Sequence, residues 1–76
     1  MHDRLAAAAD LPSLLTPRER QVLEATALGL TNGQVAQQLQ VSVHAVKFHL
    51  AAVYRKLGVA NRTEAAVVFT QASAPR

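Results

Sequence analysis

Hydrophobic residues recur at helical spacing in four stretches of the chain, and each stretch follows a residue type that favours a helix start. The pattern predicts helices over about residues 17–28, 32–39, 43–57 and 62–72. The links between them are only three or four residues long. The sequence therefore predicts an all-α domain of four helices, with short connections between neighbours.

Capping residues support these boundaries. Thr16 and Glu19 form a capping box at the first helix, and Thr31 and Gln34 form a second box at the second helix. Ser42 is the expected cap of the third helix. Three further signals mark helix ends or starts: Gly29, Gly58 and Asn61.

The third predicted helix has one apolar face and one free face. At 100° per residue, its core face holds Val43, Val46, Leu50, Val53, Tyr54 and Leu57. The opposite face carries His44, Phe48, Ala51, Ala52 and Arg55, with Lys47 at its border. A partner can therefore reach this second face.

Helices two and three, with the turn at residues 40–42, form a candidate helix-turn-helix. Ala36 has to be small because the third helix crosses close to it. Apolar residues are expected to lock the pair at a steep angle: Val35, Leu39, Val41 and Val46. The free face of the third helix could then enter a major groove. Gln40 departs from the pattern, since glycine is frequent at this turn position.

Both ends of the chain are predicted to lie outside the helical domain. Residues 1–15 are expected to form a linker or flexible N-terminal arm, from which Leu14 and Leu15 pack on the domain. The domain itself is predicted over residues 16–73, and residues 74–76 form a frayed tail.

Composition and charge narrow the class of function. The chain has 76 residues and no cysteine, which allows one small domain without disulfides. Residues 1–40 carry a net charge of −1 and residues 41–76 a net charge of +4. A basic half suits a polyanion such as nucleic acid, although a solvated basic face would look the same. No apolar run suits a membrane span or a secretory signal, so we expect a cytoplasmic protein without membrane contact.

No group of residues suggests catalysis, a cofactor or a metal. The chain lacks a glycine-rich phosphate loop and paired carboxylates on an apolar face. Its histidines occupy the arm and different faces of the third helix: His2, His44 and His49. We therefore expect no enzyme activity and no cofactor, and we expect His49 to be a hydrogen-bonded, partly buried residue that positions the third helix.

Motifs on all four predicted helices point to a known family. They are Leu15-Thr16-Pro17-Arg18-Glu19-Arg20, Gly29-Leu30-Thr31-Asn32, Val46-Lys47-Phe48-His49-Leu50, and the passage from Lys56-Leu57-Gly58-Val59 to Asn61-Arg62-Thr63-Glu64-Ala65. Over about residues 14–72 the chain closely resembles the C-terminal DNA-binding domain of the LuxR family of bacterial transcription regulators. The resemblance implies a third helix that reads the major groove, and dimers on paired half-sites with the fourth helix at the dimer contact.

The resemblance also implies DNA-contacting positions on the third helix: Ser42, Ala45, Lys47, Phe48 and Ala51. Members of the family usually have threonine at the position of Ala45, and some have lysine at that of Ala51. The phosphate contact and the base contact that these side chains make are therefore missing here. For Lys47 we expect a base-edge or phosphate contact, and for Phe48 an apolar contact with a thymine methyl or a sugar.

Five further residues are candidates for DNA contact by their position. Thr31 and Asn32 lie at the N-terminus of the second helix, where backbone N–H groups attract phosphate, with plain capping as the alternative. His44 and Arg55 complete the free face of the third helix. Arg55 and Lys56 could contact phosphate or simply interact with the helix dipole.

The fourth helix has two apolar sides. One is expected to pack on the core through Ala65, Val68, Phe69 and Ala72. The other should point outward as a weakly apolar patch for dimerisation: Ala66, Val67 and Thr70. Because this patch is small, we expect a monomer in dilute solution and a dimer on DNA.

Two alternatives remain beside double-stranded DNA binding by a transcription regulator. One is a small protein-interaction module that uses the fourth helix. The other is the promoter-reading domain of a sigma factor, although the passage after the third helix favours the LuxR reading. Candidate partners besides DNA and a second copy are RNA polymerase and an upstream receiver or ligand-sensing domain. Both a stand-alone regulator and the output domain of a response regulator fit the sequence.

Overall fold

The computed structural model describes residues 14–73, which form four α-helices and no strand. The helices are α1 (Pro17–Ala27), α2 (Asn32–Leu39), α3 (Val43–Leu57) and α4 (Arg62–Ser73). The predicted all-α class is confirmed, and each helix bound lies within one residue of its predicted position. Most of the predicted arm and the whole predicted tail, residues 1–13 and 74–76, lie outside the described residues.

Two complete capping boxes start α1 and α2. Thr16 Oγ1 accepts the Glu19 N–H at 3.1 Å, and Glu19 Oε1 accepts the Thr16 N–H at 3.0 Å. At α2, Thr31 Oγ1 accepts the Gln34 N–H at 3.1 Å, and Gln34 Oε1 accepts the Thr31 N–H at 2.8 Å. Each box satisfies two backbone N–H groups that have no partner within the helix, which fixes where the helix begins.

The first three helices end with the same backbone turn. A left-handed residue follows directly after α2 and α3, with φ of +57° at Gln40 and +69° at Gly58, and two residues after the end of α1, with φ of +97° at Gly29. After Gln40, the Val41 N–H donates to the Ala36 carbonyl at 3.0 Å, which closes the turn between α2 and α3. A side chain in this conformation costs about 1 kcal/mol compared with glycine. The turn of the helix-turn-helix thus forms despite its unfavourable residue.

Two clusters of buried side chains hold the helices together. The first joins α1, α2 and α3 through Val22, Ala25, Val35, Ala36, Val46 and Leu50. The second joins α1, α3 and α4 through Leu23, Val53 and Ala65, and it also includes Leu15 from the segment before α1. Leu15 therefore packs as expected, whereas Leu14 is 47% exposed. Because Ala36 lies in the first cluster with residues of α3, the predicted close crossing of α2 and α3 is supported.

The predicted faces of α3 need two corrections. Val43, predicted in the core, is 41% exposed. Its neighbours Ser42 and His44 are also exposed, so the first turn of α3 lies outside the core. Ala52, predicted on the free face, is only 6% exposed. One turn further on the same side, Lys56 bonds to Glu19 of α1, so α1 covers this flank of α3.

Candidate nucleic-acid interface

The remaining predicted positions on α3 share one surface, which we call the α3 outer face. It consists of Ser42, His44, Ala45, Lys47, Phe48, Ala51 and Arg55. All are exposed except Ala45, which is half-buried. The buried residues Val46, Leu50 and Val53 lie between them in sequence, because 3.6 residues per turn send the two sets to opposite sides of the helix. The structure thus gathers these candidate residues on one accessible helix face.

Phe48 is the most unusual residue of the α3 outer face. Its side chain is 71% exposed although it could bury a large apolar area. Its ring packs edge-on against the neighbouring His49, with centroids 5.7 Å apart and planes at 71°. His49 is half-buried as predicted, but its ring makes this aromatic contact and, within residues 14–73, no hydrogen bond. Most of the Phe48 ring remains free for a partner.

Two free cations also lie on the α3 outer face. Lys47 and Arg55 are exposed, and neither forms an ion pair with another residue in the part of the chain that the structure describes. Lys56 differs, because its Nζ lies 2.7 Å from Glu19 Oε1. Of the two basic residues in the last turn of α3, Arg55 is therefore available to an anion, while Lys56 ties α3 to α1.

The α3 outer face also combines a hydroxyl with small side chains. Ser42 Oγ accepts the Ala45 N–H at 3.0 Å and so caps the helix. This bond uses an oxygen lone pair, which leaves the hydroxyl hydrogen free to be donated to a phosphate. Ala45 and Ala51 offer only methyl groups, so a partner can approach the α3 backbone closely along this line.

The start of α2 presents donors without a negative charge. Thr31 is exposed, and its hydroxyl accepts one hydrogen bond within the capping box while its own hydrogen stays available. The other side chain of the box, Gln34, is neutral. No acidic residue lies in the first turn of α2, so the positive end of the helix dipole is not compensated there.

Arg62, at the start of α4, forms hydrogen bonds to the residues around the start of α2. Its Nη1 donates to the Leu30 carbonyl at 2.8 Å, and its Nη2 donates to Asn32 Oδ1. A guanidinium can only donate, so the oxygen of the Asn32 side chain faces Arg62 and its NH2 group is turned away from it. Sequence reasoning missed this contact, because 30 residues separate the two partners and no local pattern links them.

The outward side of α4 is narrower than predicted. Val67 is 49% exposed and Thr70 is exposed, but Ala66 is half-buried. On the inward side Ala65 is fully buried, and Phe69 packs against the second core cluster with Ala72. The candidate dimer patch is therefore centred on Val67.

Residues 14–73 form neither a metal site nor a membrane span. No three His, Asp or Glu side chains in this range come together as metal ligands. None of the helices in this range is both long enough and apolar enough to cross a bilayer. The α3 outer face and the start of α2 therefore remain the candidate site.

Comparison with known proteins gives a consistent result. The family model described as "Bacterial regulatory proteins, luxR family" matches residues 13–69. The chain is 42% identical over 55 residues to the monoamine regulon transcriptional regulator of Klebsiella aerogenes, a match that covers 72% of this chain and 24% of that protein. It is 51% identical over 51 residues to the probable transcriptional regulatory protein SgaR of Hyphomicrobium methylovorum, covering 67% and 24%.

A third relative is the nitrate/nitrite response regulator protein NarP of Escherichia coli strain K12. The identity is 44% over 59 residues, covering 78% of this chain and 27% of that protein. No solved structure matches the chain significantly. The chain spans about a quarter of the length of these curated relatives.

Proposed function

Because the chain belongs to the LuxR family of bacterial regulatory proteins, we propose that α3 enters the major groove of duplex DNA with its outer face towards the base edges. Family membership confirms the predicted class, a DNA-binding domain of transcription regulation. The family match also favours this class over a sigma factor domain.

One observation carries the proposal: a largely exposed phenylalanine lies between two free cations on a single helix face. Phe48 suits contact with a thymine methyl group, which is an apolar feature of the major groove. Lys47, next to it, suits an acceptor on a base edge or a phosphate oxygen. Arg55, two turns beyond Lys47, suits a phosphate.

Further contacts follow from the start of each helix of the helix-turn-helix. The hydroxyls of Thr31 and Ser42 and the NH2 group of Asn32 would donate to phosphates and fix the register of α3 on the duplex. His44, Ala45 and Ala51 would lie against the groove, the two alanines through their methyl groups.

The first test compares duplex binding by the wild type, Lys47→Ala and Phe48→Ala, on a site selected from a random library. We expect wild-type affinity to fall steeply with added salt, because phosphate contacts release counterions. Lys47→Ala and Phe48→Ala should each reduce discrimination by ~1–3 kcal/mol if they contact bases. The matched control is Arg20→Ala, which removes an exposed cation from α1 and should leave binding nearly unchanged.

A second test identifies the group that Phe48 contacts. Replacing each thymine of the site by uracil removes only the C5 methyl group. One such replacement should weaken wild-type binding and have no further effect on Phe48→Ala. If the salt dependence is absent and no duplex is selected, the proposed contact between the α3 outer face and DNA is wrong.

We also propose dimerisation on DNA through the patch centred on Val67. Two such patches about a two-fold axis would place the α3 helices on half-sites one DNA turn apart. The patch is small, and stable interfaces usually exceed ~1,000 Å², so the dimer should form only on DNA. Val67→Glu should leave folding and half-site binding intact but weaken binding to the paired site. Equal affinity of Val67→Glu and wild type for the paired site would rule out this dimer face.

The chain's place in a longer protein is a separate proposal. Since the match covers only about a quarter of each relative, we infer an output domain that follows a receiver or ligand-sensing domain. The name of one relative, a response regulator, supports this arrangement. A cytoplasmic location and contact with RNA polymerase would follow from such a role, and the expected lack of enzyme activity stays a prediction.

A further inference from the structure

We propose that Arg62 is a positioning residue for DNA binding, which acts by holding the side-chain amide of Asn32 in the one orientation that can donate to a phosphate. The inference rests on the phosphate contact at the start of α2 in the proposed function. It assigns a role to α4 that is separate from dimerisation. Arg62 itself touches no DNA in this scheme.

The contact joins parts of the domain that are distant in sequence. Arg62 is the first residue of α4, Asn32 is the first residue of α2, and Leu30 lies in the link before α2. One guanidinium bonds to both, through Nη1 to the Leu30 carbonyl and through Nη2 to Asn32 Oδ1. Arg62 and Asn32 are both half-buried. The planar guanidinium therefore fixes the link and the first turn of α2 relative to α4.

The orientation of the amide matters because its two ends have opposite character. The oxygen of an Asn side chain accepts hydrogen bonds, whereas the NH2 group donates them. A phosphate oxygen is repelled by the first and bound by the second. Without Arg62, a rotation of 180° could turn Asn32 Oδ1 outward. With Arg62 in place this rotation would bring the NH2 group against a cation that offers only donors, so the NH2 group stays turned away from Arg62.

The charges nearby exclude a simple ion-pair role. Both acceptors of Arg62 are neutral, and within residues 14–73 the guanidinium forms no ion pair with a carboxylate. Its contribution to DNA binding could then come either from its charge or from the geometry that it imposes on Asn32. A lysine at the same position would keep the charge but could not bond both acceptors as a fork.

The experiment is a double-mutant cycle measured with the selected duplex at fixed salt. It uses Arg62→Ala, Asn32→Ala and the double variant, with thermal unfolding to confirm that each is folded at the assay temperature. We expect each single variant to bind about three- to tenfold more weakly, the equivalent of one hydrogen bond. The double variant should bind no more weakly than Asn32→Ala, because Arg62 acts only through Asn32.

Two further variants separate geometry from charge and from folding. Arg62→Lys should bind as weakly as Arg62→Ala, and recovery of wild-type affinity would overturn the proposal in favour of a charge effect. Arg55→Ala is the control, because its loss should add to that of Asn32→Ala. If Arg62→Ala does not fold, the cycle is measured with Arg62→Lys, which keeps the charge but cannot form both hydrogen bonds as a fork.

The outcomes distinguish this inference from the function on which it rests. Asn32→Asp should fold as well as the wild type and bind DNA at least tenfold more weakly; unchanged binding would overturn the phosphate contact and the proposal with it. Additive effects of Arg62→Ala and Asn32→Ala would overturn only the positioning role. Failure of the wild type to bind any duplex would overturn the proposed function itself.

Discussion

The starts of α1 and α2 use the same capping box in two different settings. In each, a threonine hydroxyl accepts the N–H of the residue three positions later, whose side chain accepts the threonine N–H. At α1 the later residue is Glu19, which is only 7% exposed and also accepts a hydrogen bond from Lys56. At α2 it is Gln34, which is exposed.

The difference between the two boxes is one of charge. The Glu19 carboxylate compensates the positive end of α1 and holds Lys56, so that end of the helix does not need another anion. The Gln34 amide satisfies the same backbone group without a charge, which leaves the positive end of α2 available to phosphate. One sequence motif thus serves folding at α1 and, in the proposed function, DNA binding at α2.

The largest expected effect is a loss of stability when the carboxylate of the α1 capping box is removed. Glu19→Ala should lower the free energy of unfolding by about 2–3 kcal/mol, because it removes the carboxylate that accepts hydrogen bonds from the Thr16 N–H and from Lys56 Nζ. Chemical denaturation measures this loss. The matched change at α2, Gln34→Ala, should cost clearly less because Gln34 is exposed and has no charged partner. Equal losses would contradict the distinction between the two boxes.

A negative charge in the α2 capping box should weaken DNA binding without lowering the stability of the fold. Gln34→Glu keeps an acceptor for the Thr31 N–H and places a negative charge where a phosphate is proposed to lie. We expect roughly tenfold weaker duplex binding from this repulsion, with stability unchanged or slightly raised by the helix dipole. Binding titrations at two salt concentrations test it, since the loss should shrink as salt screens the charge. An unchanged affinity would place the phosphate elsewhere.

Removing each threonine separates the two roles of the hydroxyl. Thr16→Ala and Thr31→Ala should each cost about 1 kcal/mol of stability, the usual value for an N-cap. Thr31→Ala should also weaken DNA binding, because its hydroxyl hydrogen would donate to a phosphate. Thr16→Ala, measured under conditions where it is folded, should bind DNA as the wild type does. A comparable loss of DNA binding in both variants would show that the effect comes from folding alone.

The smallest expected effect is the pH dependence of the α1 box. The hydrogen bond from Lys56, helped by that from the Thr16 N–H, lowers the pKa of the Glu19 carboxyl below its usual value of 4.5. Its contribution is complete above pH 4.5 and is lost as the pH falls through the lowered pKa of the folded state. Because Lys56 is a third exposed, we expect less than about 1 kcal/mol. The free energies of unfolding of the wild type and Glu19→Gln, plotted against pH, should converge in acid. A constant difference between the two plots would rule out this titration.

Much of the fold could be predicted because its signals are local. The bounds of α2 and α3 matched the prediction, since Thr31 and Ser42 cap the helices through residues only three positions away. The exposure of Phe48 followed from helical periodicity, because the core residues of α3 define the opposite side. Periodicity was wrong for Val43 and Ala52, since it gives the direction of a side chain but not how far the neighbouring helices extend.

The sequence alone determined the four helices, their capping boxes, the family and the face of α3 that carries Phe48, because each depends on residues within a few turns of one another. Only the tertiary structure decided which charged residues remain free. Lys56 pairs with Glu19 across 37 residues, and Arg62 holds Asn32 across 30. Both contacts form only because helix packing brings together positions that are far apart in sequence. The pattern of residues along the chain does not show which distant positions will meet.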